Sequence, residues 1–378
     1  MWSLNLAQKY HLPLTEPIAN YLWPMIFSIR HLSFFLLVLI GLSSCDNTLQ
    51  VTAPFENTAV VYGTLDMGND TQFFRIGRAY LGQDGPVGGM PHPDSLYYPS
   101  IDARVIAVAP NGDIKQTFVL AESNNRPKDS GLFTVQGHRL YSFVFPSDYF
   151  TENGGVRQDF TYRLELRLPG NDEVFAYGET PMVNQFRIKK PTPIGIQKMS
   201  ITATKGYKIE WKQAVNARIY QGYMDFIYME MPEGHPEDSV RYAVRYEMPT
   251  VIGSSLSGGG ITASTTINYH DYFTFLAESI PVKLDTLRWF RHIDIHMVAG
   301  SDDLATYIKT TQPSNSILQD PPFFTNVIHG AGVVASTQHL YRPYIGISTS
   351  SADSLIFGKL TCALRFARAS SLDTLTCN

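Results

Sequence analysis

The segment His292-Ile293-Asp294-Ile295-His296 places three potential metal ligands at alternate positions. Alternate side chains of a β-strand leave the same face, so His292, Asp294 and His296 are expected to lie together. Neighbours along that face are ~7 Å apart, too far for all three to bind one ion unless the strand bends. We therefore interpret the segment as the solvated face of a strand and predict no metal; these three residues are the weak candidates for a metal site.

Cys45 carries a second kind of chemistry, that of a thiol acceptor. It follows an apolar run of about eleven residues, 32–42, that is preceded by Arg30. A run of this length is too short to span a bilayer, which needs ~20 apolar residues, and is typical of a signal peptide. The tetrad Leu42-Ser43-Ser44-Cys45 resembles a bacterial lipobox, in which the thiol accepts a diacylglycerol and the cysteine becomes the first mature residue. The alternatives are an ordinary secretory signal or a buried helix.

Residues 1–44 are therefore predicted to be a signal peptide with a lipobox, and residues 45–57 a polar tether. The true start is predicted at Met25, because prolines at 13, 17 and 24 fit poorly within a signal peptide. Lipidation would hold the protein on a membrane without a spanning helix. In an oxidising compartment Cys362 and Cys377 are then predicted to pair, with two unpaired thiols as the alternative.

The elements that must position these residues are mostly strands. Apolar and charged residues alternate in residues 162–168 and again in 240–246, the pattern of a strand with one buried face. Alternation of strands with helices is absent, which argues against a doubly wound fold. We predict a mainly β protein with two antiparallel β-sandwich domains, immunoglobulin- or fibronectin-like, at 58–190 and 194–378. Short helices are predicted near 271–279 and 302–311, the second capped by Ser301.

Composition restricts the classes of function. The chain of 378 residues is 44% hydrophobic and 17% charged, which excludes a disordered or coiled-coil protein. Its formal net charge of −4 gives no basic excess, so nucleic acid is not an expected partner. No nucleophile elbow, phosphate-binding loop or zinc-protease motif is present, and carboxylates cannot be paired from spacing alone. We predict a protein that is not an enzyme and has no cofactor.

One loop after a proline pair combines aromatic residues with turn formers. Phe323 and Phe324 are expected to be exposed, and Asn326, Gly330 and Gly332 suggest a tight loop with positive φ angles. A structural turn is the simpler interpretation. A ligand-contact loop formed by these five residues is the functional alternative, because binding residues concentrate on loops that a rigid scaffold holds.

Longer segments of the chain resemble a known family. The segments are FFRIGRAYLG (73–82) with PDSLYY (93–98), then DIHMVAGSDDL (294–304) with Tyr307, and PPFFTNVIHGAGVV (321–334). Together they resemble the Bacteroidota lipoprotein family catalogued as domain of unknown function four-two-four-nine, over residues 45 to about 360. The resemblance implies an outer-membrane or surface lipoprotein that works with a TonB-dependent transporter, and it implies no catalytic residues.

These observations predict a lipid-anchored lipoprotein of the outer membrane, on its periplasmic or cell-surface face, that acts as a non-enzymatic binding or accessory subunit. The ligand is not predicted. One alternative is a surface hydrolase acting on glycan or peptide. Another is an adhesin or matrix component, suggested by five Asp-(Ser/Thr)-aliphatic segments that resemble Bacteroidota O-glycosylation sites, beginning at 94, 238, 285, 353 and 373.

Overall fold

The structure is a computed structural model, and it describes residues 58–79, 96–123, 138–192, 197–258, 260–312 and 323–368. All of them belong to the compact unit Asn57–Asn378. The predicted signal peptide, Cys45, the tether and Cys377 lie outside the described residues. Among the helices of the described part, none has the length and apolar character that crossing a bilayer requires.

The first half of the described chain is built from strands of three to eight residues. Apolar side chains at alternate positions of these strands are buried, as are Tyr162, Leu164 and Leu166 of β7. The strands are β1 (Ala59–Asp66), β2 (Thr71–Arg78), β3 (Asp102–Val108), β4 (Ile114–Val119), β5 (Ala121–Ser123), β6 (Leu140–Val144), β7 (Thr161–Arg167), β8 (Val174–Pro181) and β9 (Arg187–Lys190). A 3₁₀ segment, Glu152–Asp159, precedes β7.

The second half contains three long strands, of 16, 16 and 18 residues, with shorter strands and helices between them. Its elements are β10 (Lys198–Met199), β11 (Tyr207–Lys212), β12 (Ala217–Pro232), β13 (Val240–Glu247), β14 (Val251–Ile252), β15 (Thr262–Ile267), α1 (Tyr269–Ser279), β16 (Thr286–Ser301), α2 (Asp302–Thr311), β17 (Val327–Ile328), β18 (Gly330–Ile347) and α3 (Thr349–Phe357). Short 3₁₀ turns occur at Pro236–Asp238 and Cys362–Leu364.

One large sheet runs through both halves. Its strand order is β13-β12-β16-β18-β1-β2-β6-β5, with β14 attached to β12 and β10 to β18. The strands pair antiparallel, except that β18 runs parallel to β1 and to β10. Two smaller sheets, β17-β8-β7-β3-β4 and β15-β11-β9, complete the set of described sheets.

Two hydrophobic cores lie against this large sheet. The first contains Val61, Phe74 and Leu164, and so packs β1 and β2 against the five-stranded sheet. The second contains Trp211 and Phe226, and so packs β12 and its neighbours against the three-stranded sheet, α1 and α3. The prediction of a mainly β, sandwich-like protein is confirmed. The boundary predicted near residue 190 separates most of the two cores, but the large sheet is continuous across it.

The helices largely follow the predictions. Helix α1 begins two residues before the predicted start at 271, and α2 has the predicted bounds. Ser301 stands at the N-cap of α2 but makes no capping bond; its hydroxyl instead accepts the backbone N–H of Ser336. Helix α3 was not predicted, and its N-cap Ser348 accepts the N–H of Ser351.

Candidate functional site

A cluster of aromatic and charged side chains covers one end of the outer face of the large sheet, opposite the cores. The register sets Tyr223 of β12 opposite His296 of β16, and His296 opposite Tyr341 of β18. Helix α2 packs elsewhere on this face, where Leu304 lies against Gly300. We call the cluster the tyrosine–histidine face; it consists of Tyr223, Asp225, Arg241, Arg245, His292, Asp294, His296, Tyr341 and Tyr344.

Four planar groups form a row across four strands of this face. The imidazole of His296 lies between two phenol rings, with ring centroids 4.5 Å from Tyr223 and 4.6 Å from Tyr341. The guanidinium carbon of Arg245 lies 3.7 Å from the Tyr223 ring centroid, which continues the row onto β13. Tyr341 is 56% exposed, so the row ends in an aromatic surface open to solvent.

A second, shorter row runs beside the first. Arg241 Nη2 lies 3.3 Å from His292 Nε2, and the His292 ring is 4.7 Å from the ring of Tyr344. Tyr344 is 74% exposed and has a φ of 61°. Its ring is therefore the most exposed aromatic surface of the tyrosine–histidine face.

The two carboxylates of the face are already bonded. Asp225 accepts from Nε and Nη2 of Arg245 at 2.9 and 3.1 Å. Asp294, which is buried, accepts from the backbone N–H of Tyr344 at 2.9 Å and from the Tyr341 hydroxyl at 3.0 Å. The register of β16 with β18 shifts at this point, so Asp294 holds the irregular backbone that presents both tyrosines.

Both imidazoles favour the neutral form. Burial lowers the pKa of His296, an effect that Asp225 opposes and Arg245 reinforces. Burial likewise lowers the pKa of His292, against the effect of Asp294 and with that of Arg241. At neutral pH the two rings therefore act as polar, stackable surfaces rather than as cations.

The metal candidates do not form a metal-binding geometry. Among the described residues, three-ligand groups whose atoms all lie within 4.8 Å of one another are limited to His235, Glu237 and Asp238, all exposed. His292 lies 3.5 Å from Asp294, but His296 approaches Asp225 instead, at 3.6 Å. The alternation predicted for this strand is present, and its imidazoles contact tyrosines and carboxylates.

Both carboxylates of the face take part in hydrogen bonds within it. Asp225 of β12 lies directly opposite Asp294 of the neighbouring strand β16. Glycoside hydrolases use a pair of carboxylates as their catalytic groups. Here, however, each of the four carboxylate oxygens accepts a hydrogen bond from Arg245, Tyr341 or Tyr344. The tyrosine rings and the guanidinium of Arg241 can stack on and hydrogen-bond to a ligand.

The predicted loop residues lie on both sides of β17, and three of them, Asn326, Gly330 and Gly332, make structural contacts. Asn326 donates to the carbonyl of Val334 at 2.7 Å and accepts the N–H of Val334 at 2.9 Å, so it pairs like a strand residue. Gly332 has a φ of 106°, and a Cβ there would lie 1.9 Å from the carbonyl oxygen of Val61.

Gly330, Phe323 and Phe324 complete that loop. A Cβ at Gly330 would lie 2.9 Å from the carbonyl oxygen of Ala59, so this position too is fitted to the approach of β1. Phe323 is 77% exposed and Phe324 is partly buried. Of the three residues expected to have positive φ angles, Gly332 alone has one, and both glycines lie within β18. Their contacts and those of Asn326 are structural, and the ligand-contact role of the two phenylalanines stays a prediction.

The cysteine predictions are reached only in part by the described residues. Cys362 is buried and disulfide-bonded. Its predicted partner Cys377 lies outside the described residues, so the pairing stays a prediction, as does lipidation of Cys45. Of the O-glycosylation-like segments, the one at 285 has a buried acceptor, since Thr286 is 6% exposed.

Sequence reasoning found His292, Asp294 and His296 but missed the rest of the face. Tyr223 and Asp225 lie two residues apart in an earlier segment, and Tyr341 and Tyr344 lie in a segment without a clear pattern. The signal available beforehand was the alternation itself, which puts 223 with 225 and 292 with 294 and 296 on shared faces. The register that joins the strands has no such signal.

Comparisons with known proteins are sparse. No family model matches the chain, and no curated protein matches it. Solved structures with a weak likeness include the C-terminal globular domain of an oligosaccharyltransferase from Pyrococcus abyssi, at 8% identity and a TM-score of 0.23, over 78% of this chain and 50% of that one. Another is trypsin-activated alpha-2-macroglobulin from Escherichia coli, at 10% identity and a TM-score of 0.17, over 65% of this chain. The chain spans half the length of the first and 14% of the second.

Proposed function

We propose that the protein is a lipid-anchored lipoprotein of the bacterial outer membrane and that its folded body is a binding or accessory subunit. The observation that carries the binding role is the open row Arg245–Tyr223–His296–Tyr341, which ends in the exposed ring of Tyr341. The lipobox-like tetrad that ends at Cys45 supports the anchor. The family resemblance supports a TonB-dependent transporter as the partner.

The tyrosine–histidine face is the binding surface in this proposal. Aromatic rings with one polar edge bind through contact area and hydrogen bonds together, and anchors of this kind dominate interface energies. Tyr344 and Tyr341 are the exposed rings, and Arg241 adds a cation whose described polar partner is a neutral imidazole. The ligand or partner is thus expected to offer a flat apolar surface beside an acceptor group.

Two measurements test the anchor and the partner. Cys45→Ala should move the full chain from the detergent phase to the aqueous phase in Triton X-114 partitioning and abolish labelling by palmitate. Affinity purification of the unaltered protein from solubilised outer membranes should recover a transporter or another envelope protein. An unlabelled Cys45, or a purification that recovers no envelope partner, would contradict this part of the proposal.

The face is tested by Tyr341→Ala and Tyr344→Ala, each of which should weaken capture of the partner by about tenfold or more. Phe323→Ala is the matched control, because Phe323 is an aromatic residue on the predicted ligand loop that is about as exposed as Tyr344. If Phe323→Ala abolishes capture and the tyrosine variants do not, the binding surface is the loop and not the face.

The hydrolase remains a second candidate because Asp225 and Asp294 face each other in the register. Hydrolysis of a glycan by the unaltered protein, lost in Asp225→Asn and Asp294→Asn, would select it over the binding role. The binding proposal expects no turnover from any of the three proteins.

A further inference from the structure

Strand β13 forms an open edge of the large sheet. Within the described sheets it pairs with β12 and with no other strand. Met248 donates its N–H to the carbonyl of Gly222 at 2.9 Å, just beyond the register pair Tyr223 and Glu247. Antiparallel pairs alternate, so the even-numbered residues of β13 turn their N–H and C=O groups towards β12. Those of Arg241, Ala243, Arg245 and Glu247 point away from the sheet.

This edge has only part of the usual protection against pairing. It is eight residues long and contains neither proline nor lysine. Val240 and Tyr242 are 49% and 40% exposed. Edges of this kind are templates for another strand.

The charges along the edge identify its partner. Arg245 is bonded to Asp225, whereas Arg241 and Glu247, near opposite ends of the strand, form no ion pair within the described part of the chain. A strand with an unpaired cation near one end and an unpaired anion at the other is complementary to itself when reversed. We propose that β13 pairs antiparallel with β13 of a second copy and joins the two large sheets into one.

Hydrogen bonding restricts the register of this pairing. The outward-pointing residues of one copy must meet those of the other, which leaves two registers of nearly full overlap. With Ala243 on the two-fold axis, Arg241 would lie opposite Arg245 twice, and like charges directly opposite are destabilising.

With Val244 on the axis, Arg241 lies opposite Glu247 twice and Tyr242 opposite Tyr246 twice. Opposite charges and aromatic pairs stabilise strand pairing, so this register is the one selected. The interface is isologous. It sets the two tyrosine–histidine faces on the same side of a continuous sheet.

Cysteine cross-linking tests the register on the full chain in detergent. Val244→Cys should form a dimer under mild oxidation, because residue 244 meets its own copy at the axis. Ala243→Cys and Arg245→Cys are matched controls, since each would lie on the axis only if the register shifted. Unaltered protein reports any dimer formed by Cys45, Cys362 or Cys377. No dimer from Val244→Cys, or equal dimer from all three variants, would overturn the proposal.

Exchanging the charges of Arg241 and Glu247 tests whether the strand that pairs with β13 is a second copy of β13. By light scattering after size exclusion, Arg241→Glu and Glu247→Arg should each raise the dimer dissociation constant about tenfold. The double variant should restore the dimer, because each exchanged pair is again opposite in sign. A monomeric unaltered protein at tens of micromolar refutes the dimer. If Glu247→Arg, which lies outside the tyrosine–histidine face, loses an envelope partner and the double variant does not restore assembly, the edge binds a different protein, which also overturns the proposal.

Discussion

Replacing Arg288 should test how the end of the described chain is held in place. Arg288 of β16 is fully buried, and its Nε and Nη2 donate to Glu230 at 2.9 and 2.7 Å. Its Nη1 donates to the carbonyl of Leu364 at 2.6 Å, and Nη2 also donates to Pro281. One side chain therefore joins β12, the segment before β16 and the segment around Cys362.

The cost of Arg288→Met follows from what the substitution leaves behind. Removing one partner of a buried ion pair costs about 3–5 kcal/mol, because the other charge stays buried without compensation. Lys283 keeps a bond to Glu230 at 2.6 Å and limits that part of the loss. The carbonyls of Leu364 and Pro281 lose their donor, and a buried acceptor without a partner costs about 1–3 kcal/mol. We expect a total loss of about 3–5 kcal/mol in the free energy of unfolding.

Urea unfolding followed by tryptophan fluorescence measures this loss. Lys115→Met is the control, because Lys115 and Asp113 form an exposed ion pair whose loss should cost under about 1 kcal/mol. The measurement should also depend on pH. Burial raises the pKa of Glu230, but the bonds from Lys283 and Arg288 outweigh it and hold that pKa below its usual value.

The stabilisation from Glu230 is therefore present above the unfolded carboxyl pKa and is lost as the pH falls through the folded one. The difference between the unaltered protein and Arg288→Met should shrink on acidification. A loss no larger than that of Lys115→Met at neutral pH would refute this account of the cluster.

Three other substitutions probe the described contacts. Gly332→Ala should destabilise far more than Gly112→Ala in the same unfolding assay; both residues have positive φ, which costs about 1–3 kcal/mol for other residues, but only at Gly332 would the Cβ strike backbone. Equal losses would show that β1 yields freely. The bond to Asp66 raises the pKa of His339, so its stabilisation is present below the unfolded pKa and lost as pH rises through the folded one; His339→Gln should lower the melting temperature near about pH 6 and not near about pH 9. Burial and Asp294 raise the pKa of the Tyr341 phenol, so Asp294→Asn should lower it in an ultraviolet titration, and an unchanged value would contradict the bond.

Local patterns predicted the strands well and their surroundings poorly. Alternation in residues 162–168 predicts β7 with its buried face, because a strand in the middle of a sheet is covered on one side. The same alternation in 240–246 predicts a buried face for Val240 and Tyr242, which are largely exposed. The period of a pattern fixes which residues share a face, but coverage of that face depends on neighbours distant in sequence.

The candidate site shows the same limit. Spacing within one strand places His292, Asp294 and His296 on a common face. Their partners come from β12, about 70 residues earlier, and from β18, about 45 residues later. The irregular backbone at Tyr344, on which Asp294 depends for its partner, has no signature in the sequence. From the sequence alone, His292, Asp294 and His296 are candidate metal ligands, whereas in the fold both imidazoles pack against tyrosine rings.

Strand β18 makes the tyrosine–histidine face depend on both cores. Residues 330–337 pair with β1, which belongs to the first core, and residues 337–345 pair with β16, which belongs to the second. A fragment cut at the predicted boundary, 194–378, would keep all nine residues of the face but lose β1. The edge of β18 would then be open along eight residues, and exposed edges of that length promote association between chains. The backbone of Gly332 approaches the carbonyl of Val61 so closely that no side chain fits between them. The edge of β18 is therefore specific for pairing with β1. Tyr341 is therefore held in place by a strand whose first half is fixed by the other core.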